Sequence, residues 1–583
     1  MAGTDRATGL WRDGAGVLVA VLALAAALRL MGLGFGLPAV YNPDEVSIMS
    51  RALAFAKGDL NPHNFLYPTF YFYVLFGWIG GYFAAGRLIG AIPSLAAFQT
   101  QFFVDPTNVF LAGRALSVVC GVASVAVTAA VARRVYGRAA ALPAACFLAV
   151  APFAVRDAHY VKHDVPATLA VLLACWAFTR VPSAEAGRAR LWRVVTAGAA
   201  CGAAFSTHYY TIFLALPLAV SVAGSSRGWR DALRDLAAAC AAAAAVFFLL
   251  SPFLLVEIRT AAADMAANRG IVVDRAVSGQ QGLFASAGAY ARMLARDAMG
   301  WPVFVLALAG VPTLWLRDRR QALLLLLFPV SFLAFVSNTV PATRYLNPVL
   351  PFAAIFAAVA VAALAARFGR WRPAAALALT LAAAAPGCRD SLRTGWFFRQ
   401  TDTRTLALRY VEEHITPGAG IAIQPYSVPL VQSRESLLEA LRANLGDPGL
   451  ASTKFALRLR LDPYPAPAYR TIFVGDGGLD ADKIYVGYRE FAGGRGLAAL
   501  RDLGVGIVVL KRFAEPAPET VPLIRALEAE GRLLASFSPY RAGSEIGAGR
   551  PAPYLHNMDA RITPALERPG PPIEVWALSK QPD

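Results

Sequence analysis

Asp44 and Glu45 stand side by side in the stretch YNPDEVSIMS, directly after the first long apolar run of the chain. Pro43 restricts the backbone before them, so the pair is held at the edge of a membrane segment. The plain reading is a helix start, with Asp44 as cap ahead of VSIMSRALAFAKG. Capping and catalysis are compatible, because a cap holds a carboxylate rigidly. A second polar stretch, RDAHYVKHDVPATL, carries Arg156, Asp157, His159, Lys162, His163 and Asp164. Asp164 there also reads as an N-cap, with Pro166 in the first turn behind it. His208 interrupts the apolar hairpin FSTHYYTIF, and Arg344 stands in PATRYLNPVLPF. The segment 254–299 adds Arg259, Arg269, Arg275, Arg292 and Arg296. Arginine offers a planar fork matched to phosphate oxygens, although basic residues also greet anionic lipid headgroups. Ionisable groups beside membrane spans are costly to keep, which favours a functional reading for the set.

The elements that position these groups are membrane helices. Of the 583 residues, 57% are hydrophobic and 16% charged, and the mean hydropathy is +0.49. Several apolar runs approach the roughly 20 residues that cross a bilayer. The net charge of +17 does not indicate nucleic acid, because the basic residues fall mainly in short loops between apolar runs, where they set orientation. The six cysteines lie within or at the ends of apolar segments without metal-ligand spacing such as C-x-x-C, so neither a disulfide framework nor a zinc site is expected.

Arg6 and Arg12 precede the first run, which is read as a retained anchor, not a cleaved signal, because it continues past Arg29 and many spans follow. The N-terminus is then cytoplasmic and Asp44–Glu45 lies on the far side. Five basic clusters, at 133–138, 180–193, 225–234, 317–321 and 367–372, should all be cytoplasmic. They are so only if the aromatic segment at about 67–90 lies in the interface and does not cross. Its tyrosines and tryptophan are residue types that settle at headgroup level. The expected spans are about 15–34, 110–132, 139–155, 165–180, 193–207, 209–225, 234–253, 300–316, 322–337, 345–366 and 373–388. That makes about eleven, so the C-terminus is outside, and the polar stretches above share one face of the membrane.

Beyond Arg389 hydropathy falls. The β-rich runs AGIAIQP, YRTIFVGD, VGIVVLK and PIEVWALS alternate with the helical TRTLALRYVEEH and ETVPLIRALEAEG. The expected fold is therefore a mainly α polytopic membrane domain over 1–390, with interfacial helices in its first exported loop, and a small exported α/β domain over 391–583. That domain shows no catalytic constellation, since His414 and His556 lie far apart without a cysteine or serine motif beside them.

These residues resemble the polytopic GT-C glycosyltransferases, specifically family 39, the dolichyl-phosphate-mannose–protein mannosyltransferases, with their aminoarabinose-lipid A transferase relatives. The resemblance spreads over about 15–390. It rests on Asp44–Glu45, NPHNFLYPTFYFY, GRALSVVCGVASVAVTAAVARRVYGR, APFAVRDAHYVKHDVPATL, STHYYTIFLALPLAV and TRYLNPVLPF, in that order. The ending RPGPPIEVWAL looks like bacterial members. Two departures touch the substrate class more than the reaction: YPTF lacks the family's His-Pro-Pro core, and His159 stands about where the protein mannosyltransferases carry an arginine.

The resemblance implies transfer of a sugar from a polyprenyl-phosphate donor, entering from the outer leaflet, to an acceptor hydroxyl with inversion. Asp44 would be the general base, with Glu45 orienting the acceptor or Asp44. His159, Lys162, Arg344, Arg269 and Arg275 would bind the donor phosphate. Asp164, His163, His208, Tyr41 and Tyr67 would position, with Tyr41 and the aromatic 65–78 segment walling the lipid side. No metal ligand is assigned, although Asp164 with Asp44 leaves a divalent cation, magnesium or manganese, open. The setting would be a bacterial inner membrane, with a lipid, glycan or protein acceptor and no nucleic acid. Two other readings remain: a secondary transporter, which would place ionisable groups near the midplane in repeated halves, and a lipid-linked oligosaccharide ligase or polymerase with a diphosphate donor.

Overall fold

The computed structural model describes residues 6–182, 187–270, 284–478, 480–492, 496–544, 552–555 and 562–578. The chain divides into two compact units. The first comprises Met1–Leu33, Asn42–Ala85 and Val109–Trp396, and the second Gly34–Tyr41, Gly86–Asn108 and Phe397–Asp583.

The first unit is helical, and each of the eleven expected spans falls on a helix or a pair of short helices. Among the described residues four helical runs are long and apolar enough to cross a membrane by themselves: Thr107–Val135, Trp229–Leu250, Arg319–Val336 and a run within Leu350–His414. Ala287–Ala298 and Trp301–Arg317 would form a fifth, bent by 119°. Other expected spans are shorter helices, among them Arg138–Ala149, Asp164–Phe178 and Tyr209–Ala223. Non-helical segments at 158–163, 206–208 and 337–342 separate neighbouring helices.

Close helix packing follows from small residues. Gly198 and Gly202, one turn apart on Arg188–Phe205, face Trp229–Leu250 so closely that a methyl group on either would overlap the backbone of Ala239 or Ala243. This is the small-xxx-small arrangement that substitutes packing for a hydrophobic drive inside lipid. Around it the core is apolar, running from Ala25 and Leu28 through Phe147, Phe178 and Phe328 to Phe352.

The second unit holds a six-stranded sheet in the order β3-β2-β1-β4-β6-β5. The strands are β1 (Gly420–Ile423), β2 (Arg470–Val474), β3 (Tyr485–Val486), β4 (Val505–Lys511), β5 (Gly531–Phe537) and β6 (Ile573–Leu578). β1 to β4 pair in parallel, while β6 runs antiparallel to both β4 and β5. All four expected strands and both expected helices are present, as Thr403–His414 and Val521–Glu530. The short edge strand β3 and the half-exposed β5 escape a pattern search because neither carries a buried apolar run. Ile421, Ile507 and Val509 bury one face of the sheet with Ala407 and Val411, and Val508 and Leu510 bury the other with Leu523 and Leu527. Covering on both faces is what a parallel sheet requires.

Candidate functional site

A cavity of about 860 Å³ opens in the first unit, within the range of small-ligand sites. It is lined by the polar side chains of Asp44, Arg51, Tyr67, Lys162, His163, Asp164, His208, Arg344 and Tyr345 and by the apolar ones of Phe205, Ile212, Phe213, Phe332, Phe335 and Val336.

Asp44 enters on the helix Pro43–Ala54. Here the cap is Asn42 and not Asp44: the Asn42 carboxamide oxygen accepts from the Asp44 backbone N–H at 3.0 Å. A Pro at the first helical position frees that cap site for asparagine. Asp44 therefore lies inside the first turn, where the helix dipole favours a carboxylate. One face of this helix, Asp44, Ser47, Ile48 and Arg51, lines the cavity. The spacing i, i+3, i+4, i+7 is that of a single helical face, and it is the signal by which Arg51 could have been found from sequence.

Two cations converge on the same carboxylate oxygen. Lys162 Nζ lies 3.0 Å and Arg344 Nη1 3.5 Å from Asp44 Oδ2. Lys162 is nearly buried while Asp44 is 39% exposed, so the carboxylate remains open to the cavity. Lys162 and Asp164 flank the start of the helix Asp164–Phe178. Arg344 sits on the 3-10 turn Thr343–Leu346, which is tied down by side chains at the end of the short helix Pro152–Asp157. Arg156 Nη2 donates to the Thr343 hydroxyl at 2.6 Å, and Asn347 Nδ2 donates to Asp157 Oδ2 at 2.5 Å. Arg156 and Asp157 are themselves paired at 2.7 Å.

Four of the expected roles are corrected by geometry. Glu45 is fully buried and does not line the cavity. Its two oxygens take Nε and Nη2 of Arg114 at 2.9 and 2.8 Å, and the Val161 backbone N–H donates to it at 2.9 Å. It fastens three segments together instead of orienting an acceptor, and Gly113 permits the approach, since a methyl there would meet Met49 Cε at 2.6 Å and Val161 Cγ2 at 2.9 Å. His159 is buried with its nitrogens on the carbonyls of Val155 and Met31 at 2.9 and 3.0 Å, so it does not reach a donor phosphate. Tyr41 belongs to the second unit, with its hydroxyl 2.7 Å from the Thr405 hydroxyl and its ring 3.8 Å from the Arg404 guanidinium carbon; it is not a cavity wall. The Asp44 cap is replaced by Asn42 as described.

Arg269 ends the helix Ile258–Arg269, whose Met265 and Asn268 reach the cavity. The Arg269 side chain, Arg275 and His556 lie outside the described residues. Lys162, His163, Asp164, His208, Tyr67 and Arg344 are brought together as the sequence suggested. The parts missed are Arg51, Tyr210 and Tyr345.

Four of the lining rings form a box. His163 stacks on Tyr67, centroids 4.3 Å apart at 13°, and His208 lies 3.9 Å from Tyr210. Tyr67 meets His208 edge-on at 5.3 Å. Burial holds His163 well below the usual histidine range, and it pulls His208 down to about 3, helped by Arg344. Both imidazoles are neutral at physiological pH. Burial also pushes the Tyr67 hydroxyl up to about 12.

For a metal the fit is poor. The Asp44 carboxylate already faces an ammonium and a guanidinium, and among the described residues no group of three or more His, Cys, Asp or Glu is placed to hold an ion.

The fold and the cavity define a class: a multi-pass membrane protein with the GT-C fold. Residues 93–255 match the family model described as dolichyl-phosphate-mannose-protein mannosyltransferase. The chain is similar to ArnT from Cupriavidus metallidurans bound to undecaprenyl phosphate, with 18% identity over 89% of this chain and 96% of that one and a TM-score of 0.50. The apo state of the same ArnT gives 17% identity over 90% and 96%, also with a TM-score of 0.50. The oligosaccharyltransferase from Archaeoglobus fulgidus gives 13% identity over 90% and 72%, with a TM-score of 0.46. No curated protein sequence matches the chain. The resemblance to GT-C glycosyltransferases read from the sequence therefore holds at the level of fold and of this family match.

Proposed function

We propose that the protein is a glycosyltransferase that moves a sugar from a polyprenyl-phosphate donor to an acceptor hydroxyl with inversion, on the extracytoplasmic face of a bacterial inner membrane. The observation that carries this reading is the placement of Lys162 Nζ and Arg344 Nη1 on Asp44 Oδ2 at 3.0 and 3.5 Å, in a cavity that is also lined by apolar side chains. The apolar lining suits a prenyl tail and the cations suit a phosphate. ArnT, solved with undecaprenyl phosphate, supports the same ligand chemistry.

Charge separates the donor types. Among the described residues that line the cavity, Arg51, Lys162 and Arg344 stand with Asp44 and Asp164, three cations against two carboxylates, a surplus of one. A lipid-phosphate sugar brings one negative charge and balances the site, whereas a diphosphate brings more than the site can match. Burying that excess is costly.

In the mechanism Asp44 accepts the proton of the attacking hydroxyl, help worth roughly 10²–10⁴-fold. The hydroxyl oxygen bonds to the anomeric carbon as the bond from that carbon to the lipid-phosphate oxygen breaks, so the configuration inverts in a single displacement. Lys162 and Arg344 stabilise the charge that grows on the leaving phosphate. By turning toward that phosphate they loosen their hold on Asp44 and make it a stronger base. Residues 1–390 form the catalytic domain in this reading, with the N-terminus cytoplasmic, and 391–583 an extracytoplasmic domain that shapes acceptor access.

The test is label transfer from radiolabelled polyprenyl-phosphate sugars in membranes lacking the protein, complemented with wild type or Asp44→Asn. Transfer by wild type and a loss of 10²-fold or more in an equally abundant Asn variant supports the reading. Equal transfer by both removes Asp44 from the chemistry.

A further inference from the structure

The ring box contains two polar atoms that the protein leaves unused. His163 Nε2 and the Tyr210 hydroxyl are buried and have no hydrogen-bond partner, although their residues, 2% and 7% exposed, line the cavity. Buried polar atoms without partners are costly, and native proteins keep few of them. Both atoms belong to rings that also present apolar faces. That mixture suits a sugar, whose C–H face packs on rings while its hydroxyls need hydrogen bonds. Tyr210 backbone N–H donates to His208 Nδ1 at 3.4 Å, which leaves Nε2 of His208 as the protonated nitrogen and a third hydrogen-bonding edge.

We propose that Tyr67, His163, His208 and Tyr210 form the subsite for the transferred sugar, with His163 Nε2 and the Tyr210 hydroxyl binding its hydroxyls, and that this sugar is uncharged. The proposal rests on the transferase reading above. Charge is the second argument. Once a lipid phosphate has balanced, among the described residues that line the cavity, Arg51, Lys162 and Arg344 against Asp44 and Asp164, an amino sugar would add an ammonium, and a uronic acid a carboxylate, to a set whose charges are already matched. A neutral sugar adds none.

The test uses the full-length protein in detergent with synthetic farnesyl-phosphate sugars in gluco, manno and arabino series, each neutral, amino-substituted or, for the hexoses, oxidised to the uronate. Farnesyl phosphate without sugar is the reference ligand. Binding is read for wild type, His163→Phe, which keeps the stack on Tyr67, and Tyr210→Phe, which keeps the ring. Transfer to acceptors in membranes is read in parallel. The expected result is that one neutral donor binds and transfers at least tenfold better than its charged counterparts. Each variant then loses about tenfold in affinity for that donor, as for one missing hydrogen bond of about 1.4 kcal/mol, with the affinity for farnesyl phosphate unchanged. Equal or better use of an amino or uronate donor overturns the proposal, as does an equal loss of affinity for the sugar-free lipid. If no donor is transferred but a neutral sugar still adds affinity that His163→Phe and Tyr210→Phe remove, the transferase reading fails while the sugar subsite stands.

Discussion

Lys162 Nζ lies 3.0 Å from Asp44 Oδ2, and Arg344 Nη1 approaches that same oxygen at 3.5 Å. The proposed base and the proposed phosphate-binding cations are thus one cluster. Hydrogen bonds to charged groups contribute about 1.5–3 kcal/mol each, or about 10–100-fold. Lys162→Met and Arg344→Gln should each lower kcat/KM by that order, and Lys162→Arg should restore part of the loss. Steady-state kinetics with a fixed donor decides it; an unchanged kcat/KM in both variants would remove the cations from the reaction.

Glu45 should behave as a structural residue. Both its partner Arg114 and Glu45 itself are fully buried, and removing one member of a buried pair leaves an uncompensated charge at a cost of about 3–5 kcal/mol. Glu45→Ala should therefore lower the thermal midpoint in detergent by many degrees. The double change Glu45→Leu with Arg114→Leu, which removes both charges, should recover much of it. A fully stable Glu45→Ala that is inactive would instead return Glu45 to the chemistry.

A pH-dependent clasp sits beside the cavity. His63 places Nε2 2.9 Å from Asp59 and Nδ1 2.7 Å from Glu257, joining the segment that carries Tyr67 to the helices beyond Glu257. Hydrogen bonds that His63 donates to Asp59 and then to Glu257 raise the His63 pKa, a hydrogen bond from the Asn61 backbone lowers that of Asp59, and one from the Asn61 side chain lowers that of Glu257. A raised histidine contributes stability that is fully present below its unfolded value of about 6.5 and lost as pH rises through its folded value. The lowered carboxylates contribute stability present above their unfolded values of about 4 and lost as pH falls through their folded ones. The clasp is thus tightest between about pH 4 and 6.5. Hydrogen-exchange protection across 58–69, taken relative to the intrinsic rate at each pH, should be highest there and fall toward pH 8, and His63→Gln should flatten the profile. A flat profile in wild type would show that the clasp does not hold the segment.

The pair Gly198 and Gly202 should tolerate no side chain. Gly202→Leu drives a branched chain into the backbone of Ala243, and overpacking of this kind costs about 1–3 kcal/mol or more. Loss of folded, monodisperse protein on size exclusion is expected, whereas Gly16→Leu, with open space around its position, should be silent. Equal behaviour of the two would refute the close packing.

Much of this protein is legible in its sequence because the signals are local. Apolar runs and basic loops give the polytopic class, and alternating β-rich and helical runs give the second unit down to Thr403–His414. Asp44, Lys162, Asp164, His208 and Arg344 are visible because an ionisable group costs too much beside a membrane span to be incidental. What a residue does with its charge is not local. Glu45 and Asp44 are adjacent and chemically alike, yet a helix turns successive residues by about 100°, so one faces Arg114 in the core and the other the cavity. His159 is two carbonyls' captive while His163, four residues on, lines the site. Tyr41 leaves the cavity altogether for Thr405. The sequence by itself determined the membrane class, the order of elements and the stock of chemically able side chains. Only the tertiary structure decided which of them meet, because contacts between positions as distant as 44, 162 and 344 depend on how helices pack and not on the residues beside each one.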